Sequence, residues 1–170
     1  MKLYFSPNAC SLASHIVLRE SGLPFELVQV DNQKKITADG EDFLQINPKG
    51  YVAALKLDNG QVLPEGAAIL QFLADQAPHT GLAPANGSWE RVRLQEWLNF
   101  ISSEIHGGLG VWFKDALPAA VRARFKATLC TRFAILVQTL ERQAYRLGPR
   151  SPLADAHLVG GLRGAGSRDT

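Results

Sequence analysis

The chain has few of the residues that build disulfide frameworks and metal sites. Its 170 residues include two cysteines, Cys10 and Cys130, which do not form a CxxC pair, and its four histidines lack metal-ligand spacing. These absences argue against a disulfide scaffold, a two-thiol redox motif and a zinc site. We therefore expect a protein that holds no metal.

Long apolar runs and a strong charge of one sign are also missing. No run approaches the roughly 18 apolar residues that a membrane-spanning helix needs, and the start MKLYFSP lacks the features of a secretory signal. The 18 basic and 16 acidic side chains give a net charge of +2, which is not the electrostatic footprint of a nucleic-acid-binding protein. The sequence predicts a cytoplasmic protein whose partners are neither membranes nor nucleic acids.

Strand and helix signals alternate over residues 1–77. The order β-α-β-α-β-β-α follows from short apolar strands, a helix closed by Gly22, and a β-hairpin with an Asn59-Gly60 turn before a helix that opens at Glu65. The polar stretch DNQKKITADGED is interpreted as a loop. This pattern predicts an α/β domain with a mixed four-stranded sheet flanked by helices.

The rest of the chain is helical in pattern. A stretch rich in proline, glycine and alanine at 78–87 is typical of a linker, and residues 88–160 are interpreted as an all-α domain. The glycine-rich residues 161–170 predict a disordered tail. The first helix carries an apolar stripe at helical spacing, and the next is predicted to bury one side. The stripe is Leu94, Trp97, Leu98, Ile101 and Ile105, and the next helix's core side is Val121, Phe125, Leu129, Phe133, Leu136 and Leu140.

Three segments, taken in order, resemble a known family. MKLYFSPNACSLASHIVLRE, FLQINPKGYVAALKLDNGQVLPEGAAILQFLAD and EWLNFISSEIH are similar to the cytosolic-type glutathione S-transferases, most closely the bacterial beta class. The resemblance covers about residues 1–158. It implies a thioredoxin-like first domain, an incomplete all-helical second domain, and a homodimer. It also implies an enzyme that conjugates the thiolate of glutathione, its co-substrate, to a small hydrophobic electrophile.

The resemblance also assigns roles to individual residues. Glutathione carries an ammonium group, two carboxylates and a thiol, so its site needs one anion, donors for two carboxylates and support for the thiolate. The catalytic pair is then Cys10 and His106, and we expect the positive end of the helix dipole to lower the pKa of the Cys10 thiol. Trp112 and Phe113 are candidates for the electrophile pocket. The predicted glutathione-binding residues are Lys35, Val52, Glu65, Gly66, Asn99 and Ser103.

Plainer interpretations remain open for several of these residues. A free cysteine such as Cys10 is often only a small buried side chain, and Cys130 is expected to be one, among the core positions of its helix. Lys35 is also consistent with a solvated lysine. Asn99 and Ser103 could form the polar side of an amphipathic helix.

Two departures from the family pattern lead to alternative functions. Ala53 stands where the family has a cis-proline, so we expect a trans peptide bond there and weaker glutathione binding. The tail GGLRGAGSRDT replaces further family helices, as in a frameshifted or truncated chain. One alternative is therefore a non-catalytic or unstable remnant that binds glutathione poorly or not at all. The resemblance itself implies a second alternative, a glutathione-dependent thiol-disulfide reductase that uses Cys10, because the matching beta-class cysteine can form a mixed disulfide with glutathione.

Overall fold

A five-stranded mixed sheet organises the first half of the chain. The computed structural model describes residues 1–112, 117–142 and 153–166. The sheet order is β3-β2-β1-β4-β5, in which β1 pairs parallel with β2 and the other neighbours are antiparallel. The strands are β1 (Lys2–Phe5), β2 (Glu26–Asp31), β3 (Ile36–Thr37), β4 (Ala54–Lys56) and β5 (Val62–Leu63).

The sheet has one strand more than the sequence predicts. The extra strand, β3, lies in the stretch interpreted as a loop, and it pairs through Thr37 with Val30 of β2. Two residues are too few to show the alternation that reveals a strand. The predicted hairpin is confirmed, with Gly60 at φ 85° in the turn between β4 and β5.

Helices cover both faces of this sheet. They are α1 (Leu12–Ser21), the single turn α2 (Phe43–Ile46) and α3 (Gly66–Gln76). The long helices α1 and α3 lie side by side and share one apolar core, in which Ile69, Leu70 and Leu73 are fully buried. On the other face, Phe43 packs with Tyr4 in a smaller cluster. Apart from the added strand β3, this is the order of elements predicted from the sequence.

The second half is helical and contains one long continuous helix built from three segments. A short 3-10 turn (Pro78–Thr80) precedes α4 (Trp89–Phe100), which runs into a π-helical segment (Ile101–His106) and then α5 (Gly107–Trp112). Ser88 caps α4, accepting a hydrogen bond from the Arg91 N–H at 3.1 Å. The predicted apolar stripe from Leu94 to Ile105 is buried throughout. The π-helical segment has no counterpart in the predicted pattern.

The next helix, α6 (Ala119–Arg142), buries only part of its predicted apolar side. Leu129 and Leu136 are buried, but Val121 is 38% exposed, so its assignment to the core is wrong. Cys130 is exposed and does not fill the core. Helical spacing predicts an apolar side of a helix but not how far neighbouring elements cover it. The side chain of Leu140 lies outside the described residues.

The last described helix, α7 (Leu153–Gly166), packs against α1, α3 and α4. It overturns the prediction of disorder over residues 161–166, while 167–170 lie outside the described residues. At Gly160, a Cβ would lie 2.9 Å from the Ala13 Cβ and 3.0 Å from the Cys10 carbonyl oxygen. Glycine is therefore needed here for close helix approach, whereas the composition alone had suggested disorder. Throughout residues 1–112, 117–142 and 153–166, no helix combines the length and apolar character needed to cross a bilayer.

Candidate functional site

A cavity of about 320 Å³ lies where the α/β domain meets the helical domain. Its walls come from the start of α1, the segment before β4, the start of α3, the π-helical segment and α7. The structure brings five predicted site residues together here, namely Cys10, Val52, Glu65, Gly66 and His106. Six further lining residues are Tyr51, Ala53, Pro64, Ala67, Ser102 and His157.

The Cys10 thiol is half-buried just before α1. Its S–H donates a hydrogen bond to the Val52 carbonyl oxygen, with a sulfur-to-oxygen distance of 3.4 Å. Burial raises the pKa of this thiol, although hydrogen bonds from the backbone N–H groups of Cys10, Ser11 and Ala53 oppose the rise. The expected lowered pKa is therefore wrong, because the desolvation of a thiolate here outweighs the helix end. Cys10 is a protonated thiol at neutral pH.

The peptide bond between Val52 and Ala53 is cis. The expectation of a trans bond is wrong. Weaker glutathione binding was expected because of that trans bond, so it no longer follows. That expectation considered only the intrinsic preference of an isolated peptide bond. Val52 and Ala53 are each only 4% exposed and belong to the two apolar clusters on opposite sides of the sheet. Their backbone is therefore part of the packed core, where tertiary contacts set the conformation.

Glu65 occupies the N-cap position of α3 and presents an exposed carboxylate at the cavity. Its Oε1 pairs with the Lys49 ammonium and accepts a hydrogen bond from the Tyr51 hydroxyl at 3.3 Å. Gly66 and Ala67 follow in the first turn of α3, where backbone N–H groups have no partner inside a helix. A carboxylate acceptor and a set of amide donors thus lie side by side at one end of the cavity.

Lys35 lies outside the cavity wall. Its ammonium donates a hydrogen bond to the Gly50 carbonyl oxygen at 2.6 Å. Gly50 has φ 71° and directly precedes Tyr51 on the wall. In this structure Lys35 therefore holds the loop beside the cavity, and its cationic group is close to the cavity without lining it.

Two further predicted glutathione-binding residues also lie outside this cavity. Asn99 and Ser103 line a separate cavity of about 490 Å³ next to Arg132 of α6. The Ser103 hydroxyl donates to the Asn99 carbonyl oxygen at 2.9 Å. In a regular α-helix these two residues would share a face with His106, but here the Gly107 N–H donates to the Ser102 carbonyl oxygen in an i to i+5 turn. This wider turn changes which residues face together.

The same wider turn puts Ser102 on the cavity wall beside His106, where it meets His157 from α7. The Ser102 Oγ lies 2.9 Å from His157 Nε2 and 2.8 Å from the Leu98 carbonyl oxygen. Partial desolvation lowers the pKa of His106, although its side chain keeps access to solvent. Burial also lowers the pKa of His157 to about 4, and the charge of His106 adds to the effect. Both imidazoles are therefore neutral at neutral pH.

Sequence reasoning did not identify Tyr51, Ser102 or His157. For His157 a signal was available, because a titratable residue interrupts the apolar side of the predicted helix in LADAHLVG. Phe113 and the side chain of Trp112, candidates for the electrophile pocket, lie outside the described residues. Within the described part of the chain, no group of three or more histidine, cysteine, aspartate or glutamate side chains is placed to hold a metal ion.

Comparison with known proteins places this architecture in a family. Residues 8–76 match the family model for the glutathione S-transferase N-terminal domain. The chain is 43% identical over 165 residues to glutathione S-transferase GstA of Escherichia coli O157:H7, covering 97% of this chain and 82% of the relative. The chain belongs to the glutathione S-transferase family. The predicted family and fold class, a thioredoxin-like domain followed by a helical domain, are confirmed.

Solved glutathione S-transferases have a similar fold over most of the chain. The ternary complex of BphK, a bacterial member, superposes with a TM-score of 0.92 at 51% identity, covering 95% of this chain and 81% of BphK. A sphingomonad glutathione S-transferase complexed with glutathione gives a TM-score of 0.90 at 44% identity, covering 95% of this chain and 81% of that one. Beta-class bacterial enzymes are among these relatives, as the resemblance predicts.

Proposed function

We propose that this glutathione S-transferase binds glutathione in the interdomain cavity and transfers its thiolate to a small hydrophobic electrophile. The observation that carries the proposal is the meeting of Cys10, Val52, Glu65 and the start of α3 around one opening. The sphingomonad relative with glutathione supports the choice of ligand.

The chemistry of the cavity wall matches the parts of glutathione. The Glu65 carboxylate suits the ammonium group, and the amide donors at Gly66 and Ala67 suit the neighbouring carboxylate. Lys49 now pairs with Glu65, so the ligand's ammonium would share or replace that contact. The backbone at Val52 lies at the entry to β4, where an extended peptide could pair with it. Lys35, whose ammonium is hydrogen-bonded to the Gly50 carbonyl next to the wall residue Tyr51, is the cation proposed for the glycyl carboxylate.

Thiolate formation is the step that Cys10 and His106 would assist. The glutathione thiol loses its proton to solvent, its sulfur forms a bond to the electrophile, and the electrophile's leaving group departs with the electron pair of the broken bond. Because burial raises its pKa, Cys10 keeps its proton and can donate a hydrogen bond to the glutathione thiolate. The neutral His106 imidazole can donate a second one. A protonated Cys10 is a poor nucleophile, which does not favour the thiol-disulfide reductase alternative.

Binding and conjugation can be tested separately. Isothermal titration with glutathione should give saturable binding, and Glu65→Gln should weaken it about tenfold, because it removes a charge-assisted hydrogen bond. Glu90→Gln is the matched control, since Glu90 lies in the first turn of α4 and not on the cavity wall. A cooperatively folded chain that binds no glutathione would contradict the proposal and favour the non-catalytic remnant.

The role of Cys10 distinguishes the two enzymatic alternatives. With chlorodinitrobenzene as electrophile, Cys10→Ser keeps a hydrogen-bond donor and should retain most conjugation, whereas Cys10→Ala should lose about tenfold in kcat. Abolition of activity by Cys10→Ser, together with turnover of a glutathione mixed disulfide by the unmodified chain, would favour the reductase instead. The homodimer and the cytoplasmic location remain predictions, and sedimentation of the purified chain would test the first.

A further inference from the structure

His157 is a buried side chain of the cavity wall to which the proposed chemistry gives no role. It reaches the cavity from α7 and is only 8% exposed. A Cβ built on Gly66 would lie 3.7 Å from the His157 Cε1. The imidazole therefore lies against the first turn of α3, beside the place proposed for the γ-glutamyl part of glutathione.

The hydrogen bonds of Ser102 determine which nitrogen of His157 carries the proton. A serine hydroxyl has one proton to donate, and the Leu98 carbonyl, 2.8 Å away, can only accept. The Ser102 oxygen must then accept the 2.9 Å hydrogen bond to His157, so Nε2 is the donor. Because the imidazole is neutral, Nδ1 carries the lone pair. In the ring Nδ1 is bonded to Cε1, the atom next to Gly66.

We propose that His157 is a further glutathione-binding residue, whose Nδ1 accepts a hydrogen bond from the ligand's ammonium group beside the Glu65 carboxylate. This inference rests on the proposed function, because it concerns the same cavity and the same ligand. An ammonium group has three N–H donors, and Glu65 alone cannot satisfy all of them. Ser102 acts through His157 as a positioning residue, since it fixes the tautomer. The enzyme would then discriminate against peptides that lack the α-amino group.

Variants of His157 separate the acceptor from the contact with Ser102. His157→Gln places an amide N–H near the position of Nε2 and removes the acceptor at Nδ1, whereas His157→Asn places an amide oxygen near Nδ1. The two ligands are glutathione and glutaryl-cysteinyl-glycine, which differs only in lacking the amino group. Isothermal titration of both ligands into the full chain and each variant measures the coupling directly. His15→Gln, a change outside the cavity wall, is the matched control.

We expect His157→Gln to weaken glutathione binding about tenfold and to leave binding of the deaminated ligand within twofold. His157→Asn should recover part of the loss, and His15→Gln should change neither affinity. Equal weakening of both ligands would overturn the proposal, because it would indicate a purely structural role. Unchanged glutathione binding by His157→Gln would also overturn it while leaving the proposed function intact. Failure of the unmodified chain to bind glutathione would overturn both.

Discussion

Replacing His157 should change how the stability of the protein depends on pH. The folded-state pKa of His157 is about 4, because burial and the nearby His106 disfavour the imidazolium, whereas an unfolded chain leaves histidine near its ordinary value of about 6.5. Between these values the unfolded state binds more protons than the folded state. The free energy of unfolding therefore falls as the pH drops through this window, and it is unaffected by this group above it.

The expected loss of stability follows from the difference between the folded-state and unfolded-state pKa of His157. At about 1.4 kcal/mol per pKa unit, the full difference is worth about 3 kcal/mol, of which about 2 kcal/mol is lost by about pH 5. The other titrating groups are shared between the protein and His157→Gln, so comparing the two isolates the imidazole. His106 is the histidine that faces His157 across the cavity, and it remains in both chains.

Urea unfolding followed by tryptophan fluorescence, at about pH 7.5 and about pH 5, measures the effect. The unmodified chain should lose about 2 kcal/mol more than His157→Gln on acidification. His79→Gln, at an exposed position away from the cavity wall, is the matched control. Equal losses in the unmodified chain and in His157→Gln would refute the reasoning, because they would mean that His157 is protonated as easily in the folded state as in the unfolded one.

Two further substitutions test the contacts that join the domains. Gly160→Ala should destabilise the fold by about 1 to 3 kcal/mol, since its Cβ would meet α1. Gly161→Ala is the matched change, because in the described part of the chain a Cβ at Gly161 would have no atom within 4 Å apart from its chain neighbours and its own helix backbone. It should be neutral or stabilising by up to ~1 kcal/mol, and equal effects of the two changes in thermal unfolding would contradict this packing. Arg91→Met removes the paired hydrogen bonds, 2.9 and 2.8 Å long, from α4 to the Asp75 carboxylate of α3. Because Asp75 keeps partial access to water, we expect a loss of about 1 to 2 kcal/mol, against about 0.5 kcal/mol or less for the exposed Arg93→Met. A loss for Arg91→Met no larger than that of Arg93→Met in urea unfolding would count against the ion pair.

Local periodicity was sufficient to predict most of the elements. The alternation around the Asn59-Gly60 turn predicted the hairpin, and the apolar stripe from Leu94 to Ile105 predicted a long buried helix. Such patterns are readable because each records the repeat of a single strand or helix. β3 carries too few residues to show a repeat. The glycines of α7 suggested disorder because composition does not reveal whether another helix packs against them.

For the candidate site, too, some residues were placed correctly from the sequence and others were not. The ordered motifs around Cys10, Glu65 and His106 were enough to name a family and to bring these residues into one cavity. The resemblance assigned Asn99 and Ser103 to the same site, but both line another cavity, next to the point where the helix becomes π-helical. A helix that changes its turn width leaves no distinct mark in the pattern of apolar residues.

The sequence by itself determined the elements, their order and the chemical groups available to a glutathione site. Those properties depend on residue type and on spacing within a segment. Only the tertiary structure decided which groups meet, the cis bond at Ala53, the raised pKa of Cys10 and the tautomer of His157. Each of these depends on packing, desolvation or hydrogen bonding between segments far apart in the chain. None of them exists until those segments come together in the folded protein.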